Sequence, residues 1–186
     1  SNRVRSDLRA LGCRSAGAGP NAIAAGTLVG SANGLSEVQV VFGKTVTIAD
    51  DIKATKLTIG KSYLDATSES ATSLTLSADS DLTGNAEIGE NSKLTLASTS
   101  SVSGTINGTA ENKGTLELNS NGNTIALGAN VGATNSLATV SVLGTTTLNA
   151  GTRTITATNV SLATGSTLST SAAITGTING ATDGAG

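Results

Sequence analysis

One eight-residue phrase recurs along the sequence. Leu-Ser-Ala-Asp-Ser-Asp-Leu-Thr at 76–83 returns as Leu-Ala-Ser-Thr-Ser-Ser-Val-Ser at 96–103 and as Leu-Ala-Thr-Gly-Ser-Thr-Leu-Ser at 162–169. An alternating apolar triplet introduces each copy: Leu74-Thr75-Leu76, Leu94-Thr95-Leu96 and Val160-Ser161-Leu162. Two looser copies stand between them, Leu116-Glu117-Leu118 leading to Ile125 and Val140-Ser141-Val142 leading to Leu148. The triplets end at 76, 96, 118, 142 and 162, so the spacing stays nearly constant. A period of roughly 20–24 residues predicts a solenoid, because one coil buries its apolar face only by stacking on its neighbours.

The coils read as strands. Val38-Gln39-Val40, Val46-Thr47-Ile48 and Leu57-Thr58-Ile59 alternate apolar and polar residues, many of them β-branched, between Gly, Asn and Ser breaks. Helical spacing is absent. One turn is expected to hold Leu74–Leu76, Leu82 and Ala86–Ile88, and the next Leu94–Leu96, Val102 and Ile106. The fold class is therefore all-β, a parallel β-helix with coils of roughly 20–24 residues. Asn33-Gly34, Asn107-Gly108, Asn121-Gly122 and Asn179-Gly180 are expected at bends, since Asn and Gly both tolerate positive φ. Asn-Gly also favours hairpins, so an antiparallel β-sandwich or an irregular β-repeat is the alternative.

Composition agrees with a thin core. Aromatics are 1% of the 186 residues, Phe42 and Tyr63 alone, while hydrophobic residues reach 37%. Without large rings, each layer must be filled by Leu, Ile or Val. Burying one such side chain stabilises by about 1.5–3 kcal/mol, offset in large part by the entropy of ordering a Gly- and Ser-rich backbone. Six or seven coils at about 4.8 Å each would make a rod roughly 30 Å long.

Two boundaries are expected. Residues 1–36 read as a flexible leader or cap, with Arg3, Arg5, Arg9 and Arg14 crowded at its start, and residues 37–186 as the solenoid. Gly104-Thr-Ile-Asn-Gly108 returns as Gly176-Thr-Ile-Asn-Gly180, so a longer cassette overlies the coil and is cut midway. The lack of an initiator Met fits a fragment or a processed product. Cys13 is unpaired by count, which excludes a disulfide framework. No run of 18 or more apolar residues exists to span a bilayer as a helix.

Charge and chemistry narrow the function. Net charge is −2, and after Glu117 Arg153 is the only charged residue before Asp183. Nothing here offers the basic and aromatic surface that nucleic acid requires. With no His, a Ser or Cys nucleophile lacks its usual base, and the protein is read as non-enzymatic. Glycan cleavage needs two facing carboxylates. Asp50 and Asp51, with Lys53 and Lys56 following, are the candidates for a polysaccharide-binding or -cleaving solenoid. A regular Thr-x-Thr array would suggest ice binding. Thr154 and Thr156 fit it, but the equivalent positions elsewhere carry Ser, Asp, Asn and Glu.

Asp79, Asp81, Thr83, Glu87 and Glu90 form the closest approach to a metal site. Acids at loop positions 1, 3, 9 and 12, with Thr at 5 and Gly84 at 6, follow the spacing of a calcium-binding EF-hand loop. Yet strands flank it where that motif needs helices, and other copies of the coil lack the acids. Coincidence within the repeat is the first reading, a surface Ca²⁺ site the second; no other cofactor is implied.

Gly114-Thr-Leu-Glu-Leu-Asn-Ser-Asn-Gly-Asn-Thr-Ile-Ala-Leu-Gly, then Val131-Gly-Ala-Thr-Asn-Ser-Leu-Ala-Thr-Val140 and Thr145-Thr-Thr-Leu-Asn149, resemble the repeat cassettes of bacterial autotransporter passenger domains. The likeness is greatest to the large surface antigens of rickettsiae and related alphaproteobacteria. It covers 100–186 well and 45–100 loosely, and does not reach 1–35. The resemblance implies a right-handed β-helix, secretion through the outer membrane and display at the cell surface or release from it. It also implies adhesion to a host-cell or surface glycan or protein. It carries over no binding residue by position.

Overall fold

A computed structural model describes residues 22–23, 34–41, 43–61, 71–77 and 79–180. Every strand pairing among them is parallel, and no helix occurs. The strands stack as a β-solenoid of about seven turns with coils of about 20 residues. The apolar triplets are in the expected register: Leu76, Leu96, Leu118, Val142 and Leu162 are successive partners, and so are Leu74, Leu94, Leu116, Val140 and Val160. Leu76 pairs with Ile48 on the preceding coil, a longer step that takes in 62–70, outside the described set.

Each coil passes through three faces. The triplets form the first. Ile52, Leu82 and Val102 follow one another on the second, where Ile125, Leu148 and Leu168 also form a sheet. The third is the ladder Val38, Leu57, Ala86, Ile106, Val131, Ile155 and Ile174. Leu82 with Ala86 in one turn, and Val102 with Ile106 in the next, lie where the repeat places them. Side chains from all three faces meet along the axis in one continuous apolar column of Leu, Ile, Val and Ala. Parallel stacking aligns like with like, which is why one or two aliphatic residues per face suffice. Strand pairing also reaches back to Ala22–Ile23, which joins Thr47–Ile48, and Leu35–Val41 joins Ile52–Lys61.

Glycine turns the corners where backbones crowd. At Lys53/Lys56 the register slips, so that two residues face Gly84 alone. Gly84 has φ +142°, and a Cβ there would lie 1.7 Å from the Ala54 carbonyl oxygen. Gly176 repeats the arrangement against Ala157, with φ +139° and 1.9 Å.

Two expectations about bends are corrected. Asn107-Gly108 and Asn179-Gly180 are in strands, Ile106–Gly108 and Ile174–Gly180, because pairing to the neighbouring coil outweighs the local turn preference. Asn121-Gly122 does form a turn, closed by the Asn123 N–H on the Ser120 carbonyl at 3.3 Å. It joins Thr115–Asn119 to Thr124–Ala126, which pair with different partners, so it is a corner and not a hairpin. Asn33, Cys13 and the four early Arg lie outside the described residues.

The longer cassette is not a structural repeat. Ile106 stacks on Ala86 and Val131 on the third face, whereas Ile178 stacks on Val160 on the first. The counterpart of Ile106 in the last described coil is Ile174.

Candidate functional site

The acids singled out from the sequence are parted by the strand Asp81–Ile88 and its corner. Asp79, in a turn with φ +63°, accepts from the Thr99 N–H at 3.2 Å and its hydroxyl at 2.5 Å. Asp81 accepts from the Ser101 N–H at 3.0 Å and its hydroxyl at 2.7 Å. Asn85 repeats the contact with Thr105, at 2.9 and 3.2 Å. All three reach a residue 20 positions on, one coil away. Thr83 is exposed, with its backbone beside Lys53. Glu87 pairs with Lys56 at 3.2 Å and Glu90 with Lys113. Among the described residues no three Asp, Glu, His or Cys side chains gather to hold a metal. The Asp and Asn side chains at this corner tie one coil to the next.

The Asp50-Asp51 pair is used in a similar way. Asp50 accepts from the Asp51 N–H, and Asp51 accepts from the Asp81 N–H, both at 2.9 Å. Lys53 is exposed, while Lys56 stands between Glu87 and Glu37, the latter at 3.5 Å. Thr58 donates to Glu37 at 2.8 Å.

Charges shift where these bonds form. Burial pulls the Lys56 ammonium down, but the hydrogen bond and charge of Glu87, then those of Glu37, outweigh it and leave the pKa raised. The hydroxyl and N–H of Thr99 hold Asp79 below the usual carboxylate value, and those of Ser136 do the same for Glu111.

Lys56 and Glu87, both singled out from the sequence, border a concavity whose other lining residues sequence reasoning missed. A shallow groove of about 220 Å³ is lined by Lys56, Asn85, Glu87, Thr105, Asn107 and Asn135, among others. Asn107 is buried; its Nδ2 donates to the Thr105 hydroxyl at 3.1 Å and its Oδ1 accepts from the Thr134 N–H at 3.0 Å. Asn135 donates to the Gly108 carbonyl at 3.2 Å. The floor of the groove is thus fixed by bonds between coils, while its rim presents an ammonium, a carboxylate and amides. Such a surface suits a polar ligand of low net charge. The 20-residue offset that Asn85 and Thr105 share with Asp79 and Thr99 and with Asp81 and Ser101 marks two of these positions. Asn107 and Asn135 instead make contacts at an offset of 27, which the repeat does not signal.

No known family model, curated protein or solved structure matches the sequence. Fold and surface define the protein as a parallel β-solenoid with a polar exterior. No helix among the described residues is long and apolar enough to cross a membrane, which says nothing of a β-barrel.

Proposed function

We propose that the protein is a non-enzymatic passenger segment of a bacterial autotransporter, displayed at the cell surface or released from it, and serving as scaffold and adhesion element. The observation that carries this reading is the outward row of the first face. Thr47, Thr75, Thr95, Glu117, Ser141, Ser161 and Asn179 succeed one another from coil to coil as a polar row. Within it Thr95 is buried and donates to the Glu117 carboxylate at 3.1 Å, while the others reach the surface. The resemblance of its cassettes to rickettsial-type surface antigens adds the route to the surface. A strip of hydroxyls and amides can contact a host-cell or surface glycan or protein at many weak points, and its length raises the total avidity.

The groove beside Lys56 and Glu87 favours a second reading, a polysaccharide-binding or -cleaving solenoid. One experiment separates the two. The protein is fused to an autotransporter barrel in a Gram-negative host, and protease accessibility and adhesion to cultured cells are measured on intact bacteria. Display with adhesion is the expected result; a protein retained in the periplasm would overturn the passenger reading. Display without adhesion, with glycan binding that Glu87→Ala abolishes, would favour the second reading. Glycan cleavage lost on Asp50→Ala/Asp51→Ala would make it an enzyme.

A further inference from the structure

Three Asn-Gly pairs fall wholly among the described residues, and the fold treats two of them in opposite ways. At Asn107-Gly108 the side-chain amide is buried and held at both ends, and the Gly108 N–H donates to the Asn135 carbonyl at 3.1 Å. At Asn121-Gly122 both residues are exposed, with φ +51° and +97°. The feet of that turn are fixed: the Ser120 N–H donates to the Thr146 hydroxyl at 2.8 Å, and Asn123 Nδ2 donates to the Ser120 carbonyl at 3.0 Å. Its tip is open. Among the described residues neither the Asn121 amide nor the Gly122 N–H meets a hydrogen-bond partner. A Cβ placed on Gly122 would meet nothing nearer than Thr145 Oγ1, at 3.6 Å.

We propose that Asn121 is a site of spontaneous covalent modification, deamidation through a cyclic imide. The Gly122 backbone nitrogen, having lost its proton to hydroxide or a buffer base, bonds to Cγ of Asn121. The bond from Cγ to Nδ2 breaks, and that nitrogen leaves as ammonia. Water then opens the ring at either carbonyl, giving aspartate or isoaspartate at 121. Gly122 has no side chain to hinder the attack, and the tip gives up no hydrogen bond in reacting. Asn107-Gly108, with the same chemistry, is protected because its nucleophile and its electrophile are both engaged.

The product changes the surface that the proposed function relies on. A carboxylate appears in a stretch where Arg153 is the only charge between Glu117 and Asp183. The isoaspartyl form also lengthens the backbone between two feet that Thr146 and the turn hold in place.

The native protein is its own control. It is held folded in mildly alkaline buffer made with ¹⁸O-water, and peptide masses are followed over time. The peptide with Asn121 is expected to convert and take up label severalfold faster than the peptide with Asn107. In urea the two rates should converge, since only folding distinguishes them. Equal rates in the folded protein, or earlier conversion of Asn107, would overturn the proposal. So would a rate difference that survives unfolding.

Discussion

Up to Glu117, charged side chains tie neighbouring coils on the outside: Lys56 between Glu37 and Glu87, Lys93 to Glu117 at 3.0 Å, Lys113 to Glu90, and Asp79 and Asp81 on the coil ahead. Beyond Leu118 the chain contributes neutral groups to this work, although Ser136 still bonds back to the Glu111 carboxylate. The Thr154 N–H donates to Asn130, the Ser120 N–H to Thr146, and the Ser171 hydroxyl to the Gly151 carbonyl. Yet Leu94 in the first region and Leu148 in the second are equally inaccessible to solvent. The column of aliphatic residues is what the two regions share, and the outer bonds are interchangeable in kind. Stability belongs to the core, while the surface is left free to vary.

The sharpest way to break that comparison is to cut the column once in each region. Leu94→Ala and Leu148→Ala should each destabilise by about 2–5 kcal/mol, from lost transfer energy and the cavity left behind. Urea titration followed by circular dichroism gives both values. If Leu148→Ala costs much less than Leu94→Ala, the regions differ in their cores as well as their surfaces.

The column was legible in the sequence because parallel stacking turns a repeat along the backbone into a contact in space. Leu76, Leu96 and Leu118 are partners for the same reason that they recur. What the repeat did not reveal were the features set by the neighbouring coil. Asn107-Gly108 has a turn's composition and a strand's conformation, since Gly108 pairs with Ile88 on the coil before. The two Gly-Thr-Ile-Asn-Gly copies match in sequence and differ in face, because the coils from Ile106 through Val131 and Ile155 to Ile174 are of unequal length and shift the phase between them. The acids at 79–90 matched a loop motif as a linear string. Their actual partners, Thr99, Ser101, Lys56 and Lys113, are outside that string and come near only when the coils stack.

A smaller effect is expected from the outer charges themselves. Lys56→Gln removes both of its ion pairs but keeps most of the side chain's length. Its side chain is 33% exposed, so the loss should not exceed about 1 kcal/mol, as for surface pairs generally. Added salt should shrink even that difference by screening. Ser161→Ala on the neutral region should show no such salt response. A loss at Lys56 that is large and indifferent to salt would mean that charge contributes to the core of the early coils.

The smallest effect is local and depends on pH. The folded pKa values of Asp79 and Glu111 lie below their ordinary ones, chiefly because the Thr99 and Ser136 hydroxyls and N–H groups bond to the ionised form. The stabilisation from such a group is fully present above its ordinary pKa and is lost as pH falls through the folded one. The window for Asp79 therefore opens below 3.8, its ordinary value, and extends further into acid. Thr99 and Ser136 amides should lose hydrogen-exchange protection there, once intrinsic rates are allowed for. The Thr154 amide, capped by the uncharged Asn130, should keep its protection through the same window. Both groups are on the surface, so the response should remain at these corners while the column holds. Equal loss at Thr99 and Thr154 would show the coils opening together, and the two regions would then differ in composition alone.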